Sequence, residues 1–170
     1  MPVPVLVSVV IPTYDSAHFL ADAIDSVFAQ DVSLALTVVD DGSMDGTATV
    51  VQRYPACQYV RQERLGPAAA RNRGAGMSDA PYLAFLDADD LFTPGRLAAQ
   101  LAFLDVHEEV DMVFGHAEEF HASDLSDLEK SRLVKREGSH PFYSACTMVV
   151  RRRAFEAAGA FDSGWKTGEF

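Results

Sequence analysis

A chain of 170 residues, 48% of them hydrophobic, is one domain's worth of sequence with material for a substantial core. Its formal net charge of −11 argues against nucleic acid or an anionic membrane as a general partner. No apolar run approaches the roughly 20 residues of a membrane helix; the segment from Met1 to Ser8 lacks the basic start of a secretory signal; and the two isolated cysteines, Cys57 and Cys146, read as reduced thiols in or near a core.

Val5 to Ile11 is β-branched and apolar, and reads as a central strand stopped by Pro12. Ser16 is placed to cap the next helix, in which Phe19, Leu20, Ala23, Ile24, Val27 and Phe28 recur at helical spacing. Leu34 to Val39 is a second strand, ending at Asp40-Asp41-Gly42-Ser43, and a helix from about Asp45 to Tyr54 follows. Gln58 to Val60 reads as a short third strand. Gly66-Pro67 opens a helical, alanine-rich segment, Ala68 to Met77. Tyr82 to Leu86 is a fourth strand. Pro94 marks the start of a helix whose apolar face is Leu97, Leu101 and Leu104, and Val110 to Phe114 is a fifth strand. The polar stretch from His116 to Ser139 is long for a connection and reads as a functional flap or small insertion. Its histidines, His116 and His121, and the adjacent His140, fit no common metal spacing and read as solvated or hydrogen-bonded. Tyr143 to Val150 resumes an apolar strand, and Arg151 to Ala158 a short helix closed by Gly159. Strand alternating with helix predicts an α/β domain with a mainly parallel sheet.

The chemistry gathers at the strand ends, where ligands of parallel α/β sheets sit. Asp87, Asp89 and Asp90 place three carboxylates after one apolar strand. Such crowding of like charge needs a counter-charge, and Mg²⁺ or Mn²⁺ carrying a phosphorylated substrate supplies it. Strand one ends in Pro12-Thr13-Tyr14-Asp15 and strand two in Asp40-Asp41. Taken singly, Asp-Asp-Gly-Ser is an ordinary turn, Tyr14 ordinary packing, and Thr13 or Asp15 a helix cap. A cap needs one carboxylate, not three, so the Asp87 cluster has the weakest structural explanation. Arg71 is either a phosphate partner near a helix start, a surface arginine, or the ion-pair partner of a strand-end aspartate.

The ordered segments Val7–Tyr14 (VSVVIPTY), Val38–Thr47 (VVDDGSMDGT), Gly66–Gly74 (GPAAARNRG) and Ala84–Asp90 (AFLDADD) resemble a family 2 glycosyltransferase of the GT-A fold. The likeness runs from Val7 to about Leu104 and resumes from Ala145 to Phe161. It implies a three-layer α/β/α sandwich, a nucleotide-diphosphate sugar donor (a UDP-sugar foremost), inversion at the anomeric centre, and Mn²⁺ or Mg²⁺ as cofactor. By the same resemblance Pro12, Thr13, Tyr14 and Asp15 line the nucleoside pocket and Asp40 or Asp41 reads the base. Arg71 lies near base or diphosphate, Asp87 approaches the ribose or the metal, Ala88 is a substrate contact, Asp89 holds the metal with Asp87, and Asp90 orients the loop. Family members take the acceptor proton with the aspartate of a Gly-Glu-Asp motif. Here Gly168-Glu169-Phe170 keeps the glycine and the glutamate but has phenylalanine in place of the aspartate, which leaves three alternatives: Glu169 as the base, a carboxylate beyond residue 170, or no competent base in this chain.

The implied organisation is a single domain, residues 1–170. Residues 1–104 form its nucleotide-sugar half and residues 105–170 a partial acceptor half, in a fragment of a longer protein. The implied acceptor is a saccharide or lipid-linked saccharide of polysaccharide or cell-envelope synthesis, in the cytoplasm or at the inner face of the membrane. Two other readings stay open. A nucleotidyltransferase also sets carboxylates at a strand end, but Pro12-Thr13-Tyr14-Asp15-Ser16 lacks its glycine-rich basic loop. A non-catalytic sugar-nucleotide-binding module is consistent with Phe170 and the abrupt end.

Overall fold

The computed structural model describes residues 4–121, 125–126 and 135–164. In chain order they form β1 (Val7–Thr13), α1 (Leu20–Phe28), β2 (Leu34–Asp40), α2 (Thr47–Val51), β3 (Cys57–Arg61), α3 (Pro67–Ala75), β4 (Tyr82–Phe85), α4 (Arg96–Val106), β5 (Met112–Phe114), β6 (His116–Ala117), β7 (His140–Pro141), a 3-10 turn (Ala145–Thr147), β8 (Met148–Arg151) and α5 (Arg152–Ala157). Six strands make one sheet in the order β3-β2-β1-β4-β8-β5, while β6 and β7 pair separately. The strands β1 to β4 are mutually parallel, and β8 runs antiparallel to both β4 and β5. The chain works outward from β1 to β3, then returns to place β4 on the other side of β1. That reversal opens a crevice at the carboxyl ends of β1 and β4, where open α/β sheets bind ligands.

Strand alternation divides the core into two apolar layers. Val9, Ile11, Leu36, Val38, Ala84, Leu86 and Val149 face α1, α2 and α4 through Leu20, Ile24, Val27, Val51, Leu97, Leu101 and Leu104. Val10, Val39, Leu83, Phe85, Met148 and Val150 face α3 and α5 through Ala70, Ala75 and Phe155. The product is the expected three-layer sandwich. On the second face, α3 rides very close to the sheet. A Cβ added at Gly74 would lie 2.3 Å from Val10 Cγ1 and 3.1 Å from Val39 Cγ2, so only glycine fits there.

Several local expectations are corrected. Pro12 does not stop β1; it pairs in register with Val39 inside the strand. Val10 O accepts from Leu86 N and Thr13 O from Asp41 N. By alternation the missing N–H of Pro12 therefore lies on the β4 side, and the β1–β4 ladder ends at Val10 and Phe85. Ser16 does not cap α1 with its side chain, whose hydroxyl donates to Tyr14 O; its carbonyl instead accepts from Phe19 N and Leu20 N. Proline does not begin α4, which starts at Arg96 after Gly95. Its first turn is held by Gln30, which accepts from Leu97 N and donates to Thr93 O. The strand expected from Tyr143 is strand only from Met148. Before it, Ser144 and Thr147 close a capping box around a 3-10 turn.

Candidate functional site

The carboxyl end of β1 is stitched to the turn after β2. Asp41 N donates to Thr13 O at 2.8 Å, Asp15 N to Ser43 Oγ at 2.9 Å, and Met44 N to Asp15 Oδ1 at 2.7 Å. Asp15 takes a left-handed backbone with φ of 47°, a conformation that aspartate tolerates better than most side chains. Gly42, at φ of 90°, closes the Asp40–Ser43 turn in a region that disfavours any Cβ. Pro12 and Thr13 are buried, whereas Tyr14 and Asp15 reach solvent.

Both carboxylates of the β2 end are committed to protein donors. Asp40 is fully buried. It accepts from Tyr59 hydroxyl at 2.5 Å and Ser43 N at 2.7 Å, with Arg61 Nη1 at 3.9 Å. Burial alone raises its carboxyl, but hydrogen bonds from Tyr59 and Ser43, together with Arg61, outweigh that and leave it below the usual carboxylate range. Burial and the same bond to Asp40 push the Tyr59 phenol up to about 12. Asp41 accepts from Gln62 Nε2 and Leu65 N, each at 2.8 Å, and from Gly66 N at 2.9 Å. These bonds brace residues 62–66, which lead into α3. The resemblance implies that Asp40 or Asp41 reads the base; in the structure both also shape the turn and the loop beside it.

Arg71, on α3, is buried and forms an ion pair with the half-buried Asp87 at the end of β4. The salt-bridge reading of Arg71 is therefore the one the structure bears out. Its neighbour Asn72 donates to Phe161 O at 2.7 Å and accepts from Phe161 N at 3.0 Å, which fastens the segment after α5 to α3. Ala88 is a core residue. Asp89 is exposed. Asp90 lies half-buried beside Cys146, whose thiol donates to Ser144 Oγ at 3.5 Å; burial raises the Asp90 carboxyl, the neighbouring thiol lowers it, and the charges of Asp87 and Asp89 raise it further. Cys146 is pushed up to about 11, mainly by burial, so its thiol stays protonated at neutral pH. Donor atoms of Asp87, Asp90 and Cys146 all lie within 4.8 Å of one another. Arg96 donates to Cys146 O at 2.6 Å and to Gln100 Oε1 at 2.9 Å, while Gln100 Nε2 donates to Thr147 O at 2.9 Å, so α4 fixes the turn that carries this thiol.

The rim expected from the sequence is thus one connected structure. Thr13 and Asp15 are bonded to the β2 turn, Asp41 braces the loop into α3, and α3 supplies the arginine on Asp87. Sequence reasoning missed Tyr59, Gln62, Arg64, Asn72 and the apposition of Cys146 with Asp90. Each acts across many residues of chain, and only the basic character of Arg64 ahead of Gly66-Pro67 gave a local hint. His116 Nδ1 contacts Ser139 Oγ, and the buried His140 donates to Gly138 O, each at 3.3 Å, as expected of hydrogen-bonded histidines. Glu169 lies outside the described residues.

The profile of Glycosyl transferase family 2 matches residues 8–159. An uncharacterized glycosyltransferase of Rickettsia felis is 36% identical over 114 residues, covering 65% of this chain and 18% of that protein. The minor teichoic acid biosynthesis protein GgaB of Bacillus subtilis is 28% identical over 178 residues, covering 95% of this chain and 20% of GgaB. Among solved structures, S. aureus TarS 1-349 in complex with UDP superposes with a TM-score of 0.76 at 23% identity, covering 96% of this chain and 52% of that one. The mannosyltransferase PcManGT from Pyrobaculum calidifontis, in complex with GDP-Man and Mn²⁺, gives a TM-score of 0.67 at 24% identity, covering 92% and 47%. The chain spans about a fifth of these two curated relatives and about half of these two solved chains.

Proposed function

Because the chain belongs to glycosyl transferase family 2 and has the GT-A fold, we propose that it binds a nucleotide-diphosphate sugar on the rim of β1, β2 and β4 and moves the sugar to an acceptor hydroxyl with inversion. One observation carries the reading: Arg71 and Asp87 meet at the crevice beside the turn that Asp15, Asp40, Asp41 and Ser43 build. A UDP-sugar is the donor we favour, supported by TarS structures that hold UDP and UDP-GlcNAc. A saccharide or lipid-linked saccharide acceptor is supported by relatives named for succinoglycan and teichoic acid synthesis. We assign the reaction to the cytoplasm or the inner face of the membrane; no helix among the described residues is long and apolar enough to cross one.

The oxygen donors fit a hard cation. Asp89 is exposed, Asp87 is partly so, and the protonated Cys146 thiol is a poor ligand for it. Asp87 and Asp89 would hold Mn²⁺ or Mg²⁺, which when bound neutralises charge on the departing diphosphate as a Lewis acid. Arg71 orients Asp87 and adds positive charge to the same corner. Tyr14, with Pro12 and Thr13 behind it, borders the nucleoside, and Asp40 and Asp41 act through the turn and loop they fix. In the transfer the acceptor oxygen bonds to the anomeric carbon as the bond to the diphosphate oxygen breaks, and a carboxylate takes the acceptor proton. Glu169 is the residue we assign to that role. Residues 1–104 form the donor half and residues 105–170 part of the acceptor half.

Asp89→Ala tests the reading by calorimetry with UDP and GDP, with and without Mn²⁺. Metal-dependent nucleotide binding is expected for the unmutated chain and its loss in the variant, with an unchanged thermal midpoint. An unchanged UDP affinity in Mn²⁺ would remove the metal assignment. Binding without transfer or hydrolysis would reduce the chain to a donor-binding module.

A further inference from the structure

Arg71 and Asn72 are consecutive on α3 and hold different parts of the chain. Arg71 donates to Asp87 Oδ1 at the end of β4, whereas Asn72 closes a two-way clamp on the Phe161 backbone, donating to its carbonyl and accepting from its N–H. The Phe161 ring then turns back to the first pair. The Arg71 guanidinium carbon stands 5.8 Å from its centroid, and Phe85, two residues before Asp87, meets it nearly at a right angle with centroids 5.1 Å apart. Phe155 of α5 packs on the same ring at 5.5 Å. These contacts close a circuit: Asn72 to Phe161, Phe161 to Arg71, Arg71 to Asp87, and back along β4 through Phe85. The backbone is strained to complete it. After Gly159, at φ of 91°, Ala160 also takes a left-handed conformation, at φ of 63°. An alanine keeps that conformation only where its surroundings impose it. Here Ala160 N donates to Phe155 O at 3.1 Å on one side, and the Asn72 clamp holds the other.

Resting on the donor-binding reading above, we propose that Asn72 is a positioning residue for the metal–diphosphate corner: by seating Phe161 against Arg71, it sets how the Asp87 carboxylate is turned toward the cation. Three physical features support this. The Asp87 side chain is 35% exposed, so its orientation rests on the guanidinium more than on packing of its own. That guanidinium is 6% exposed, and an aromatic ring within about 6 Å attracts and places a cation. Finally, one asparagine side chain satisfies both backbone groups of Phe161, which an acceptor-only aspartate or an apolar residue does not do. Coupling of this kind is reciprocal. A closed clamp favours the cation and diphosphate at Asp87, and their binding favours the closed clamp. The segment after α5, in the half assigned to the acceptor, is thereby tightened when the donor is loaded.

The experiment has two arms. Calorimetric titration with UDP, with and without Mn²⁺, compares the unmutated chain with Asn72→Ala and Phe161→Leu. Both variants are expected to lose at least about 5-fold of the affinity gain that Mn²⁺ gives, the low end of couplings between sites, while metal-free UDP affinity is unchanged. Phe161→Leu keeps the backbone clamp and an apolar side chain but removes the ring beside Arg71, so its loss marks the route. A gain that survives in either variant overturns the proposal. So does an equal fall with and without Mn²⁺, which would make the clamp a general brace. The second arm needs no variant. Amide hydrogen exchange of the unmutated chain is followed by NMR alone, with uridine, and with UDP and Mn²⁺. The Phe161 N–H is expected to exchange about 5-fold more slowly with UDP and Mn²⁺ and to ignore uridine, while the Ala158 N–H, bonded to Ala154 O, is unchanged. Equal slowing at both amides would reflect overall stabilisation by the ligand and overturn the coupling, as would no slowing at Phe161. An unmutated chain with no Mn²⁺ gain refutes the donor-binding reading and this proposal with it, a failure distinct from a gain that ignores Asn72.

Discussion

The carboxylates after β2 and those after β4 look alike in the sequence and do opposite work. Asp40 and Asp41 are buried, and each accepts at least two hydrogen bonds from the protein. Asp87, Asp89 and Asp90 are partly or fully exposed, with one arginine on Asp87 and like charge beside Asp90. A buried carboxylate with protein donors on both oxygens holds local structure, because its burial is compensated. An under-compensated cluster at a crevice is cheap to neutralise with a ligand. The difference teaches that strand-end aspartates divide by where their hydrogen bonds go: in the proposed donor site the charge comes from the end of β4 and the shape from the end of β2.

The sharpest way to break this contrast is to truncate one carboxylate of each kind. Asp40→Ala strands Tyr59, Ser43 N and Arg61 and is expected to cost about 3 kcal/mol of stability. Asp89→Ala, the exposed counterpart, leaves the thermal midpoint where it was. Denaturant melts of the two variants check both, and equal losses would erase the distinction.

Acid sharpens it further. Asp40 has a folded pKa below its unfolded one, so its contribution is complete above the unfolded value and is lost as pH falls through the folded value. Stability of the unmutated chain is therefore expected to fall on acidification below about pH 4, and an Asp40→Asn variant to show a shallower acid slope. Thermal melts across that range measure the slopes.

The smallest effect belongs to Asp90, whose shift has the opposite sign. Its folded pKa is raised, so its contribution is fully present below the unfolded value and is lost as pH rises through the folded one. At neutral pH the ionised carboxylate is a burden beside Asp87 and Asp89. Asp90→Asn is expected to stabilise by no more than about 1 kcal/mol at pH 7 and to give no gain in acid. A loss at pH 7 would show that the neighbouring Cys146 thiol and Arg96 favour the charged carboxylate more than Asp87 and Asp89 oppose it.

Much of the architecture was legible because its causes are local. The spacing of Leu20, Ala23, Ile24 and Val27, and of Leu97, Leu101 and Leu104, marks helices that bury those faces. The apolar runs at Val7, Leu34 and Tyr82 became adjacent parallel strands. Pro12 misled because a missing N–H matters only where a ladder partner exists, and β4 stops before reaching it. The β8 strand misled in its start, and its direction was not legible, because an apolar run of that length says nothing of which way it pairs.

What the sequence determined by itself is the alternation of strand and helix and the placing of acidic residues at strand ends, since periodicity and chain order are properties of neighbouring residues. Only the tertiary structure decided which aspartates are spent inside the fold, that Arg71 meets Asp87, that Cys146 meets Asp90, and that Arg64 lies over Tyr14. Those pairings span from 16 to 56 positions of chain. Their energies depend on burial and on competing donors, and neither exists until the sheet has brought its strand ends together.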